Sequence, residues 1–396
     1  MRRLTADIPG TGGALRAEPE DFRVDELPLY PASGAGEHVV IEFEKTGIST
    51  RAAVDRIAKA LGVSPSCAGI PGLKDARAVA RQRISLHGVD CARAVRLQLE
   101  HIRILSVTPH ENKLRTGHLA GNRFRIRVRS VSADARVHAA RVLDVLATRG
   151  LPNRFGPQRF GDRQDGHLLG EALVKSDWGT YLSVLLGRPR ATDTPAIRRS
   201  REAYESGDVR TARRELPPRR ADERKALDTL CRKGDAERAV RAVPKRTRLF
   251  QISAFQSAMF NAVLEQRLDE IDRLRPGDYA FKHDSGAVFL VDDVEREQPR
   301  AERFEISPSG PMFGYKMVTP TGAVGEMEGG VLSSHGLSLE SFRGPPGMKS
   351  KGERRPLRVP LREHSVTADA DDIVVEFALP PGSYATTVLD EVMKPG

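Results

Sequence analysis

Cysteine is scarce in this 396-residue chain: Cys67, Cys91 and Cys231 are far apart and odd in number. They show no C-x-x-C spacing, so neither a disulfide framework nor a zinc site is expected, and the thiols read as reduced. Ten histidines form no H-E-x-x-H or H-x-x-x-H pair, which argues against a metal centre. No apolar run approaches the roughly 20 residues that a membrane span needs. The opening MRRLTADIPGTGG lacks the apolar stretch of a secretory signal, so residence in the cytoplasm, without a membrane partner, is expected. No repeat of fixed period occurs, and no protein partner is evident.

Positive charge, by contrast, is in excess. Lys and Arg number 63 against 53 Asp and Glu, a formal +10. Residues 188 to 248 alone carry 19 basic against 10 acidic side chains, nearly the whole surplus. A polyanion is the simplest partner for such a stretch, with nucleic acid ahead of a membrane surface because few large apolar residues are present to insert. The alternative is a charged, solvated helical surface.

The most informative short segment is GLKDARAVARQ, residues 72 to 82, where the single carboxylate of Asp75 stands among Lys74, Arg77 and Arg81. Basic neighbours favour the charged form of a carboxylate and suit a phosphate-bearing partner beside it. That fits a nucleophile better than a general acid. Taken alone, a lone Asp among bases is more often a surface turn.

Periodicity organises the rest. In HVVIEF, Val39, Ile41 and Phe43 alternate as in a half-buried strand. A helix follows, capped by Ser49, with Val54, Ile57, Ala58 and Leu61 on one stripe and Gly62 as its stop. RFRIRVR places Phe124, Ile126 and Val128 on one face and Arg123, Arg125, Arg127 and Arg129 on the other. That arginine face reads either as a phosphate track or as a charged sheet edge. Residues 134 to 149 read as a helix with Ala139, Val142, Leu143 and Leu146 inward, and NRFGPQRFGDRQ as a structured loop. A further helix, 252 to 268, turns Phe255, Met259 and Val263 to the core. RPGDYAF, SPSGPMFG and FRGPPGMKSKGERRP read as loops, the last as a return linker. VVEFALPPGSYATTVLDEVM gives a strand, a turn and a helix. Strand-rich ends around a basic helical middle predict an inserted domain, with both ends completing one sheet.

Seven ordered blocks resemble the TruD family of tRNA pseudouridine synthases: PEDFRVDE, GEHVVIEFEKTGIST, GLKDARAVARQ, KLRTGHLAGNRF, NRFGPQRFG, SAFQSAMFNAV and LPPGSYATTVLDEVMK. The resemblance implies an α+β chain: a permuted pseudouridine synthase catalytic domain with a mixed sheet (1–165 and 352–396) and an inserted, family-specific α/β domain (166–351), basic and RNA-binding. It implies isomerisation of uridine to pseudouridine in tRNA, at position 13 of the D stem, without metal or organic cofactor. The family's nucleophile maps to Asp75. Asn153 would orient it through an amide hydrogen bond, Phe155 would offer an aromatic face to the target base, and Phe22 and Arg16 map near the site, Arg16 as an ion-pair partner of Asp75. The competing reading makes Phe22 and Phe155 core or loop anchors and Asn153 a loop cap. Gly156, Gly161 and Gly382 read as turn residues. One departure is visible: Ala80 stands where the family usually has Thr.

Two rival readings compete. A noncatalytic RNA-binding protein could use the same basic surface but has no need of a carboxylate facing phosphate. A glycosidase or nucleoside hydrolase would require a second carboxylate or a metal cluster.

Overall fold

The computed structural model describes residues 2–345 and 347–395. Two compact units divide it, residues 1–153 with 359–396 and residues 154–358. The chain thus leaves the first unit once and returns to it; the expected limits of the insert were 166 and 351.

The first unit is built on a seven-stranded mixed sheet. In spatial order its strands are Arg362–Asp369, Asp372–Leu379, Leu119–Val128, Phe22–Pro28, Val79–His87, His38–Thr46 and Ile102–His110. Neighbours run antiparallel except Phe22–Pro28 beside Val79–His87. The carboxy-terminal hairpin therefore completes a sheet begun at the amino terminus. The periodic pattern explains the packing: helix Thr50–Leu61 buries Val54, Ile57 and Leu61 against Val39, Ile41 and Phe43. Ser49 accepts from the Ala52 N–H at 3.2 Å and Gly62 closes the helix at φ 78°, a left-handed conformation that glycine adopts without strain. A second core forms where helices Ala135–Arg149 and Ala385–Met393 cover Phe124, Ile126, Val375 and Phe377.

The strand that carries Arg123, Arg125 and Arg127, with Arg129 just past its end, is central, so neither a sheet edge nor an open phosphate track describes it. Arg123 pairs with Glu363, Arg125 with Glu376, Arg127 with Asp369 and Asp372, and Arg129 with Asp21. This ladder consists of cross-strand ion pairs, most of them half-exposed and individually worth little.

The second unit is mainly helical from Gly166 to Arg267. It then forms a four-stranded antiparallel sheet in the order Glu353–Pro356, Ile306–Met312, Tyr279–Lys282, Val288–Leu290. Here SPSGPMFG departs from the loop expectation: Ile306–Met312 is a buried strand despite two prolines. Its prolines lack N–H groups but still accept, as the Pro308 carbonyl does from Leu357 N–H at 2.9 Å. A Cβ at Gly310 would stand 2.7 Å from a Leu357 methyl and 3.1 Å from the Phe260 ring, so glycine lets both side chains close over the strand. The expected linker likewise contains a strand, Glu353–Pro356, paired to it. Among the described residues, no helix is long and apolar enough to cross a membrane.

Candidate active site

Asp75 lies in the loop leading into strand Val79–His87, with its side chain 51% exposed. An Arg16 Nη donates to one carboxylate oxygen at 2.7 Å. Arg16 itself is held in the left-handed region, at φ 58°, and its guanidinium lies 4.4 Å from the centre of the Phe22 ring. Phe22 is buried, edge-on to Phe124 at 6.1 Å. Arg16, Phe22 and Asp75 are therefore one cluster, with a charge stacked on a fixed ring and aimed at a half-exposed carboxylate.

The basic residues adjacent to Asp75 in sequence behave differently. Lys74 forms a buried ion pair with Glu26 at 2.8 Å, and Arg81 pairs with Glu44 at 3.2 Å. Both cations are thus taken up by carboxylates of neighbouring strands. What holds the loop instead is a residue from another strand. Lys45, with no exposed surface, donates from Nζ to the Asp75 backbone carbonyl at 2.5 Å. Burial pushes its ammonium down to about 8, a shift that the charge of Asp75 partly opposes. Thr50 adds a second tie: its hydroxyl accepts from the Lys74 N–H at 2.8 Å and bonds the Gln82 amide oxygen at 3.1 Å. Gln82, from the same motif as Asp75, thereby braces the turn through Thr50.

Lys45 escaped the sequence reading, although a signal for it exists. It continues the period-two series Val39, Ile41, Phe43, so a lysine stands in phase with three buried apolar side chains. Ala80, the departure from the family pattern, is fully buried opposite Val24 on the parallel neighbour strand. An apolar contact occupies the place of the missing hydroxyl.

Asn153 is buried at the end of the first unit. Phe155 belongs to the second unit, where it is buried and tightly held. The Asn261 side chain brackets its backbone, accepting from the Phe155 N–H and donating to the Phe155 carbonyl, both at 2.9 Å. Its ring lies edge-on to Phe260 at 5.6 Å and 4.5 Å from the Arg355 guanidinium carbon. Arg159 of the same loop donates to Ser257 at 3.0 Å and to Ser253. Ser253, Ser257 and Asn261 recur every four residues along helix Lys245–Arg267, so one polar stripe fastens the NRFGPQRFG loop. That spacing was legible beside the apolar stripe of Phe255, Met259 and Val263, and the sequence reading passed over it. Gly161 and Gly382 do adopt positive φ, whereas Gly156 does not.

The basic stretch is also more neutral than its composition. Arg213 pairs with Asp228 at 2.5 Å, Arg199 with Glu215 at 2.8 Å and Arg220 with Glu223 at 3.3 Å. Arg214 and Arg219 remain exposed. Among the described residues, no group of three or more His, Cys, Asp or Glu side chains is arranged to hold a metal ion.

Comparison with known proteins places these features in a family. The family model described as tRNA pseudouridine synthase D (TruD) matches residues 1–392. The chain is 48% identical to the tRNA pseudouridine synthase D of Geobacter metallireducens, over all of this chain and 98% of that one. It is 36% identical to that of Thermus thermophilus, over 99% and 91% of the two chains. A crystal structure of the putative tRNA pseudouridine synthase D from Methanosarcina mazei superimposes with a TM-score of 0.88 at 28% identity, covering 100% of this chain and 96% of that one. With the mixed sheet, the permuted order and the ordered motifs already described, these matches show that the chain belongs to the tRNA pseudouridine synthase D (TruD) family.

Proposed function

We propose that this chain isomerises uridine at position 13, in the D stem of tRNA, with Asp75 as the nucleophile. The observation that carries the reading is the half-exposed Asp75 carboxylate, gripped at 2.7 Å by an arginine stacked on a buried ring and backed by a buried lysine on its own carbonyl. The reaction breaks the bond from C1′ to N1 of uracil and forms one from C1′ to C5. The proton leaving C5 is balanced by one gained at N1, so atoms are conserved. A carboxylate that attacks or stabilises the sugar carbon divides this exchange into easier steps. Arg16 neutralises Asp75 before substrate enters and orients the oxygen that reacts.

Asn153 and Phe155 keep the roles that their motif implies, an amide orienting the aspartate and an aromatic face for the detached base. Stacking of about 1 to 3 kcal/mol holds a freed uracil while it turns. The fixed ring of Phe155, with its backbone bracketed by Asn261, supports that role because a stacking platform must not itself move. Extruding a base from a stem costs a few kcal/mol, and exposed basic side chains such as Arg219 are suited to gripping the flanking phosphates. A noncatalytic RNA binder would gain nothing from a charged carboxylate presented to its ligand.

Asp75→Asn removes the charge and keeps the volume. Pseudouridine formation should vanish in single-turnover assays on folded tRNA while tRNA affinity stays near wild type. Turnover above about a hundredth of wild type would overturn the assignment of the nucleophile. Mapping modified positions in the product tRNA tests the site separately: pseudouridine anywhere but position 13 overturns that part alone.

A further inference from the structure

A cavity of about 210 Å³ lies wholly within the second unit, and its lining contains none of the residues assigned to catalysis. It is smaller than the roughly 300 to 1,000 Å³ of pockets that take drug-sized ligands, and its walls suit a single flat heterocycle. Phe250, 46% exposed, stands at its lining with the Arg159 guanidinium carbon 5.1 Å from the ring centre, and Phe160 contributes a second ring. Exposed aromatics beside a polar recess in an RNA-acting protein are stacking surfaces.

The polar groups of the lining are incompletely used. Asp222 accepts from the Thr247 hydroxyl through one oxygen, at 2.9 Å, and Glu223 accepts from Arg220 through one oxygen, at 3.3 Å. Each carboxylate keeps a second acceptor. Arg201 is only 4% exposed and donates from one Nη to the Gly187 carbonyl, yet its Nε is buried without a hydrogen-bond partner. The nearest carboxylate to that Nε, Asp193, is 3.9 Å away and already engaged by Arg163 at 2.5 Å. A buried unpaired donor of this kind is expensive and calls for a partner.

We propose that this cavity is a second RNA-binding site that takes one unpaired guanine of the tRNA substrate. The pairing edge of guanine offers two adjacent donors, N1–H and the N2 amine, beside the O6 acceptor. Two adjacent donors match one carboxylate, and the acceptor matches a guanidinium donor. Adenine and cytosine each set a single amine beside a ring acceptor that a carboxylate repels, and uracil sets one donor between two acceptors. The free carboxylate oxygens of Asp222 and Glu223 repel phosphate at their wall, so the base enters there and its backbone stays outside. The inference rests on the chain acting on tRNA and is independent of Asp75.

The test is calorimetric titration of the full chain with GMP, IMP, AMP, CMP and UMP. GMP should bind at least about tenfold tighter than IMP, which lacks the N2 amine, and than the other three. Asp222→Asn and Phe250→Ala should each weaken GMP at least about tenfold, the latter at an exposed position where folding is preserved. The Asp75→Asn chain should bind GMP as wild type does, which separates this site from the catalytic reading. Equal affinity for GMP and IMP, or GMP affinity unchanged in both Asp222→Asn and Phe250→Ala, overturns the proposal.

Discussion

Lys45→Met removes a buried ammonium while keeping a side chain of similar length, and its effects on stability and rate should separate. Burial holds Lys45 at about 8 against an ordinary 10.5, which amounts to about 3 kcal/mol working against the charged form in the folded chain. Below pH 8 folded and unfolded chains both carry the proton, so the whole cost is present. Between about 8 and 10.5 the folded chain sheds it while the unfolded chain retains it, and the stability contributed by this residue rises with pH. Methionine has no such dependence. The variant loses the bond to the Asp75 carbonyl, about 1 to 3 kcal/mol for a buried group left unpaired, which offsets most of the relieved charge at neutral pH. Urea unfolding followed by ellipticity should therefore find the two chains within about 2 kcal/mol of each other at neutral pH, with wild type gaining up to about 3 kcal/mol on the variant towards pH 10.5. Single-turnover pseudouridine formation should fall by about tenfold to a hundredfold as the Asp75 loop loses its anchor, with tRNA affinity within about twofold. A stability difference that stays flat with pH, or a rate equal to wild type, would refute the reasoning.

Phe155→Ala should lower the single-turnover rate more than it weakens tRNA binding, and equal losses in both would make the ring a structural anchor only. Asn261→Ala removes both hydrogen bonds that it makes to the Phe155 backbone; at about 0.5 to 1.5 kcal/mol for each bond it should lower the unfolding free energy measurably, and a change below about 0.5 kcal/mol would show the bracket to be idle. The affinity for tRNA should fall steeply with salt. Neutralising exposed Arg214 and Arg219 should flatten that slope by roughly 0.7 to 0.9 for each phosphate that they grip, whereas Arg213→Gln, whose arginine is tied to Asp228, should leave it nearly unchanged. The reverse order would mean that the intramolecular pairs open on binding.

Much of the architecture could be read along the chain because it depends on local period. The Ser49 cap, the Gly62 stop and the stripe of Val54, Ile57 and Leu61 are all set within one helix, where a 3.6-residue repeat alone decides which side is buried. The alternation of Val39, Ile41 and Phe43 set a strand face in the same way. Asp75 and Arg16 stood out through ordered motifs, and the structure joins them at 2.7 Å across 59 residues of sequence.

Pairing across the sheet could not be read so. Lys74 and Arg81 flank Asp75 in sequence, but strand register brings Glu26 and Glu44 within their reach, and a buried or near-buried carboxylate outcompetes an exposed one for a nearby cation. The four arginines of one strand face looked available for phosphate until neighbouring segments supplied a carboxylate for each. The prolines of Ile306–Met312 suggested a loop, because proline removes a donor, whereas neighbours that donate to its carbonyls made a strand possible. The sequence by itself determined which faces are buried, since that follows from residues close along the chain, whereas Asp75 was singled out only by the resemblance of its ordered motifs to a family. Only the tertiary structure decided which charges neutralise one another and which lysine fastens the Asp75 loop, because those energies depend on distances between side chains tens of residues apart.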